Sequence, residues 1–203
     1  MSFFNIVAAT NEDTVVAAYE PSKVRSDNYQ SEAELEKEFI RLLCEQGYTY
    51  LPLHTEDELI ANLRSQLEEL NHYHFSDTEW RQFFSDVIAN PNEHIPEKTR
   101  KIQEDNVQVL HRDDGSSKNI TLIDKKNIHN NRLQVINQYE VKQADGARHD
   151  NRYDVTILVN GFPLVHVELK RRGVAIREAF NQINRYQRDS FWAGCGLYEY
   201  VQI

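Results

Sequence analysis

Apolar residues recur at helical spacing through the first half of the chain and alternate with polar ones through much of the second. Leu35, Phe39, Leu42 and Leu43 follow Ser31 and Glu34, a pair spaced to cap each other's backbone, and Gly47 closes that predicted helix. Leu59, Leu63, Leu67 and Leu70 form the stripe of a second helix opened by Thr55 and Glu58. Trp80, Phe83, Phe84, Val87 and Ile88 form that of a third, opened by Ser76 and Glu79 and stopped at Asn90-Pro91. This helical pair reads as an insertion, about 55–104, between the first helix and a sheet. Residues 48–53 read as a short strand, and 107–111 and 119–123 as a hairpin around Asp113-Asp114-Gly115. Residues 133–142 read as a long strand, after which Asp145-Gly146 turns the chain. A helix is expected over 174–188 and a strand over 197–203, while residues 1–30 carry no clear period and predict an arm that packs on something larger.

The stretch 152–170, RYDVTILVNGFPLVHVELK, carries the chemistry. It predicts two strands joined at Asn160-Gly161. Side chains alternate faces, so Val165, Val167 and Leu169 oppose Leu164, His166, Glu168 and Lys170, and Val155, Ile157 and Val159 oppose Asp154, Thr156 and Leu158. A plain two-residue turn would pair Val159 with Phe162 and Asp154 with Val167, mixing valines with charges. A shift by one residue sorts the valines onto one face and sets Asp154 opposite Glu168. An odd-length connection or a bulge around Gly161-Phe162-Pro163 is therefore expected, in keeping with the missing N–H of Pro163. Two facing carboxylates repel and push one pKa upward unless a cation lies between them. Mg²⁺ takes such oxygen ligands, and Lys170 projects from the same face toward a metal-bound water or a phosphate. The plainer alternative is a solvated polar face with an incidental Glu168–Lys170 pair.

Charge supports a phosphate partner locally and not globally. The 203 residues carry a net charge of −9, yet residues 148–188 hold eight basic and four acidic side chains. Cys44 and Cys195 stand far apart without metal-ligand spacing, Cys44 reading as a small buried residue in the first helix, so a reduced, cytoplasmic setting is expected. No basic leader precedes the apolar start, and no apolar run is long enough to span a membrane. No G-x-x-x-x-G-K-[ST] occurs, so this stretch is not expected to bind ATP as a P-loop does.

Twelve positions after Lys170 comes Gln182, followed by Tyr186, in AFNQINRYQR. Together, D…E-x-K and Q-x-x-x-Y resemble the nuclease signature of the type I restriction endonuclease R (HsdR) subunit family, part of the PD-(D/E)xK superfamily. The resemblance is clearest from about 139 to 203, present at 25–53 and weak between about 54 and 130. Where the superfamily often has proline before the aspartate, this chain has Tyr153. The resemblance implies an α/β fold, a restriction-endonuclease-like mixed and largely antiparallel sheet flanked by helices, over 31–203. It implies a Mg²⁺-dependent endonuclease in which Asp154, Glu168 and the backbone of Leu169 hold the metal and Lys170 orients or activates water. Glu36 on the first helix, or Glu32 one turn earlier, would complete the site. Gln182 and Tyr186 would position the strand, with Arg171, Arg172 or Arg185 on phosphates. Implied partners are double-stranded DNA and the modification and specificity subunits, with ATP bound by motor domains after Ile203 in a longer chain. A repair or junction nuclease of the same fold, and a non-catalytic docking module, are the other readings.

Overall fold

The computed structural model describes residues 3–9, 15–20, 31–141, 151–171, 175–189 and 196–203. No helix among them is long and apolar enough to cross a membrane. The chain divides into two units, 1–30 and 31–203. In the first, β1 (Phe3–Ala9) and β2 (Val15–Glu20) pair antiparallel, with an irregularity between Ile6 and Ala8. Alanines blur the alternation in both strands, which is why no period is legible there.

The second unit opens with α1 (Glu32–Glu45), capped as expected. Ser31 Oγ accepts from Glu34 N–H at 3.2 Å and Glu34 Oε2 accepts from Ser31 N–H at 2.8 Å. After Gly47, β3 is only Thr49–Tyr50, shorter than the expected 48–53, because Pro52 cannot donate to a ladder. Then follow α2 (Glu56–Asn71) and α3 (Asp77–Phe83), the latter running into a π-helical turn over Phe84–Ile88. A further helix, α4 (Ile95–Gln103), lies beyond Asn90-Pro91, so the inserted region holds three helices where the apolar pattern marked two. Two of the three buried residues of α4 are Lys98 and Lys101, which leaves no apolar stripe to read. Next come β4 (Val107–His111) and β5 (Ser117–Thr121), a hairpin whose second strand begins two residues earlier than expected.

The main sheet is completed by β6 (Leu133–Val141), β7 (Asn151–Val159) and β8 (Phe162–Val167), and α5 (Ile176–Asp189) follows. Its order is β3-β6-β7-β8, with β3 parallel to β6 and the remaining pairs antiparallel. Helices with a mixed, mostly antiparallel sheet make this the expected α/β, restriction-endonuclease-like class. The turn expected at Asp145-Gly146 lies outside the described residues.

Both faces of the sheet are covered. Leu43 of α1 packs with Val135, Val155, Ile157 and Val167 on one side. On the other, Leu59, Leu63 and Leu67 of α2 are fully buried with Ile136, Leu158 and Phe162, each large apolar side chain contributing about 1.5–3 kcal/mol. The face sorted as polar in sequence is thus buried as well: Thr156 is fully enclosed and shares a hydrogen bond of 3.1 Å with the Tyr198 hydroxyl.

Residues 197–203 do not form the expected strand. Gly196, with φ of 69°, leads into a 3-10 turn over Leu197–Tyr200, where Glu199 meets buried Lys98 of α4. Gln202 N–H then donates to Leu164 C=O and His166 N–H to Ile203 C=O, both at 2.8 Å, so the segment lies along the outer edge of β8.

Candidate active site on strands β6, β7 and β8

The β7–β8 turn is a two-residue one, Asn160-Gly161, with positive φ at both positions (51° and 84°) as a tight twisted hairpin demands. Asn160 is buried, accepting from Arg132 N–H at 2.8 Å and donating to Leu122 C=O at 3.0 Å. A Cβ at Gly161 would lie 2.6 Å from Leu63 Cα, so α2 packs directly on the hairpin tip. The register shift is present, but at Leu164 and not around 161–163. Leu158 pairs with Pro163 and Ile157 with Val165, leaving Leu164 as the extra residue.

From there Val155 pairs with Val167, and one step further Asp154 faces Glu168. Leu169 N–H donates to Asp154 Oδ2 at 3.0 Å. Burial pushes the Asp154 carboxyl up to about 6; the Leu169 bond opposes that rise and the charge of Glu168 adds to it. The Glu168 side chain is fully buried, and its Oε1 accepts from Lys170 Nζ at 2.7 Å. Burial works to raise its pKa, but the neighbouring His166 and the bond from Lys170 prevail and hold it below the ordinary value. Burial likewise works to lower Lys170, and Glu168, Asp154 and Glu32 together raise it. Glu168 Oε2 has no hydrogen-bond partner and lies 3.6 Å from His166 Nε2.

Glu36 of α1 is 9 % exposed, and its carboxylate meets two side chains of β6. Its Oε1 accepts from Asn137 Nδ2 at 2.6 Å and its Oε2 from Gln138 Nε2. Adjacent residues on a regular strand point to opposite faces, so they cannot both reach one carboxylate. They do so here because Gln138 has φ of 53°, a left-handed backbone that costs a non-glycine residue about 1–2 kcal/mol. The face alternation reverses at the same place. Val135 and Val155 pack with Leu43, whereas Tyr139 and Tyr153, of the same parity, join the opposite cluster. Gln138 stands across from Asp154, bracketed by the pairs Asn137–Val155 and Tyr139–Tyr153. Glu32, one turn before Glu36, accepts from Arg171 N–H at 3.3 Å instead.

Tyr186 of α5 is 1 % exposed, its ring among Tyr153, His166 and Tyr198-linked aromatics. Its hydroxyl donates to Arg152 C=O at 3.0 Å and accepts from Gln182 Nε2 at 2.5 Å. Arg185 is exposed and lies over the Tyr186 ring, 5.3 Å from its centroid. Arg171 is exposed beside the acid pair, and Arg172 lies outside the described residues. Cys44 is exposed, not buried as its apolar neighbours suggested.

Asn137, Gln138 and His166 were not singled out in the sequence. The signal for the first two was an Asn-Gln pair interrupting the apolar run of a central strand; His166 gave none beyond sharing a face with Glu168. Among the described residues no three His, Cys, Asp or Glu side chains group as metal ligands. The Asp154–Glu168 pair nevertheless fits a divalent cation. It is an oxygen-only donor set, desolvated, with one buried carboxylate oxygen lacking a partner.

The family described as "Type I restriction enzyme R protein N terminus" matches residues 29–203. The chain is 47 % identical over 198 residues to the type I restriction enzyme EcoprrI endonuclease subunit of Escherichia coli, covering 97 % of this chain and 62 % of that protein. It is 37 % identical over 180 residues to the SsaAORF53P endonuclease subunit of Staphylococcus saprophyticus, covering 86 % of this chain and 18 % of that one. A Staphylococcus aureus relative, SauMSSORF170P, gives 38 % over 180 residues with the same coverage. The chain thus spans less than two thirds of the length of these relatives.

Proposed function

The chain belongs to the family of type I restriction enzyme R protein N termini, and from that premise we propose that it is the endonuclease domain of an R subunit, hydrolysing phosphodiester bonds of double-stranded DNA with Mg²⁺. One observation carries the reading: Asp154 and Glu168 meet one step beyond the last β7–β8 pair, with Lys170 on one oxygen of the buried Glu168 side chain and no partner on the other. A buried carboxylate oxygen without a partner is costly unless a cation or donor fills the place.

Asp154 and Glu168, with the Leu169 carbonyl, would hold the metal. When bound, it would supply Lewis acidity and a water of lowered pKa. Lys170, its pKa raised, remains protonated at neutral pH, so it serves as a positioning donor and counter-charge and not as a base. Asn137 and Gln138 fix Glu36, which would anchor water beside the pair. Gln182 would contact the DNA strand. Buried Tyr186 would hold Gln182 in place and leave the strand untouched, in contrast to a role for both residues on DNA. Arg171, Arg172 and Arg185 would meet phosphates. In the complete subunit, motor domains would bind ATP, and the modification and specificity subunits would supply sequence recognition.

Calorimetric titration of the chain with Mn²⁺, which usually binds oxygen sites more tightly than Mg²⁺, tests this reading. One site in the wild type that is absent from Asp154→Ala supports it. No site in either protein favours a docking module with the same fold.

A further inference from the structure

The amide of Gln138 is oriented by its partner. Glu36 accepts from Asn137 Nδ2 at one oxygen and from Gln138 Nε2 at the other, which fixes the sense of the Gln138 amide. Asn137 is fixed in the same sense, since its Oδ1 accepts from the Tyr50 hydroxyl at 2.9 Å. Oε1 of Gln138 is thereby turned away from Glu36, and it is buried without a hydrogen-bond partner. A buried amide oxygen in this state calls for a donor or a cation. Its residue stands across the ladder from Asp154, on the strand next to the acid pair. Among the described residues no three His, Cys, Asp or Glu side chains group as metal ligands, so a cation held by the pair draws further oxygen from neutral groups or water.

We infer that Gln138 is a positioning residue of the metal site, its Oε1 accepting a hydrogen bond from water on the cation held by Asp154 and Glu168. This inference rests on the metal-site reading and adds to it. It also gives the left-handed backbone of Gln138 a purpose. A regular strand would send the Asn137 and Gln138 side chains to opposite faces, whereas φ of 53° lets both amides reach Glu36 while Gln138 stands across the ladder from Asp154.

The test compares wild type, Asp154→Ala and Gln138→Gly by Mn²⁺ calorimetry, thermal unfolding and water-proton relaxation of the Mn²⁺-loaded protein. Glycine takes positive φ without strain while the bond to Glu36 is lost, two effects that oppose each other, so Gln138→Gly is expected to keep a cooperative unfolding transition well above the assay temperature. Its Mn²⁺ affinity is expected to fall about tenfold, the loss of roughly one hydrogen bond to a charged group, with altered relaxation from faster exchange of bound water. Unchanged affinity and relaxation in Gln138→Gly, with binding lost in Asp154→Ala, would overturn the inference and leave the metal site standing. Loss of the cooperative unfolding transition at the assay temperature together with the lost affinity would also overturn it, since Gln138 would then hold the fold and not the water. Absence of Mn²⁺ binding in the wild type would sink the metal-site reading and this inference with it.

Discussion

Asp154 faces Glu168 because Leu164 is one residue more than the β8 ladder needs. Without that bulge the two-residue turn would set Asp154 against Val167 and mix valines with charges on both faces. The bulge sorts the valines against α1 and, by the same shift, forces two carboxylates together at a desolvated position. The pair is thus unfavourable where no cation lies between its two carboxylates.

That cost is titratable. Asp154 has a folded-state pKa raised to about 6 from 3.8, so the folded chain holds this proton more tightly than the unfolded chain. The associated stability is fully present below about pH 4 and is lost as pH rises through about 6. Asp154→Asn should therefore raise the unfolding temperature of the metal-free chain at pH 7, with the gain shrinking toward pH 4. An equal shift at both pH values would contradict this account.

Lys170→Ala in a full-length subunit should reduce DNA cleavage by at least about a hundredfold, the scale of losing one preorganised charge at a transition state. ATP hydrolysis by the same preparation should stay near wild type. Loss of both activities would indicate misfolding, and cleavage within a few-fold of wild type would remove Lys170 from the mechanism.

Tyr186→Phe deletes the hydroxyl that joins Gln182 to the Arg152 carbonyl. Stability should drop by about 1–2 kcal/mol in urea denaturation. Cleavage should fall in parallel with Gln182→Ala, while Mn²⁺ binding persists in both variants. Lost metal binding in Gln182→Ala would mean that Gln182 belongs to the metal site.

Gly161→Ala places a Cβ 2.6 Å from the Leu63 backbone at a φ of 84°. A loss of about 2–4 kcal/mol is expected, read as a lower urea midpoint with an unchanged slope. A neutral outcome would mean that α2 moves freely off the hairpin tip.

Glu79 is buried and accepts from the Tyr73 hydroxyl at 2.8 Å, Ser76 N–H at 3.0 Å and Asp113 N–H at 3.2 Å. Burial works to raise its pKa, but these bonds and the Arg112 charge hold it below 4.5. The stability this contributes is present above pH 4.5 and lost as pH falls through the lowered value. Glu79→Gln should accordingly be less stable at pH 7 and show a flatter acid limb in thermal unfolding.

Much of this architecture could be read from residues alone, and the reasons are local. Ser31–Glu34, Thr55–Glu58 and Ser76–Glu79 each announce a helix start, and each forms the reciprocal cap in the structure. The acid pair was legible because valines on two adjoining strands allow only one register that buries them together. Three features were not legible. Helix α4 buries Lys98 and Lys101, whose charges are satisfied by Glu199 and Glu93 from distant or looped segments. The bulge was expected, but its place was not, because Pro163 sits within the ladder opposite Leu158 and the excess falls on Leu164. The backbone of Gln138 has no sequence signature, since no propensity marks a glutamine for positive φ. Glu36 was named through family resemblance, and its partners Asn137 and Gln138 emerged only from the fold.

The two halves of this site differ in the chain they must gather. Asp154 and Glu168 are 14 positions apart, whereas Glu36 reaches Gln138 across 102. Loop-closure entropy makes the longer contact about 2 kcal/mol dearer to form, and near-neighbour pairings form first in folding. During synthesis at about 5–20 residues per second, α1 emerges and waits roughly 5–20 s for the strand that will receive its glutamate. The hairpin that bears the acids has both its strands soon after it appears, so the helix that carries Glu36 is made long before the strand it must meet.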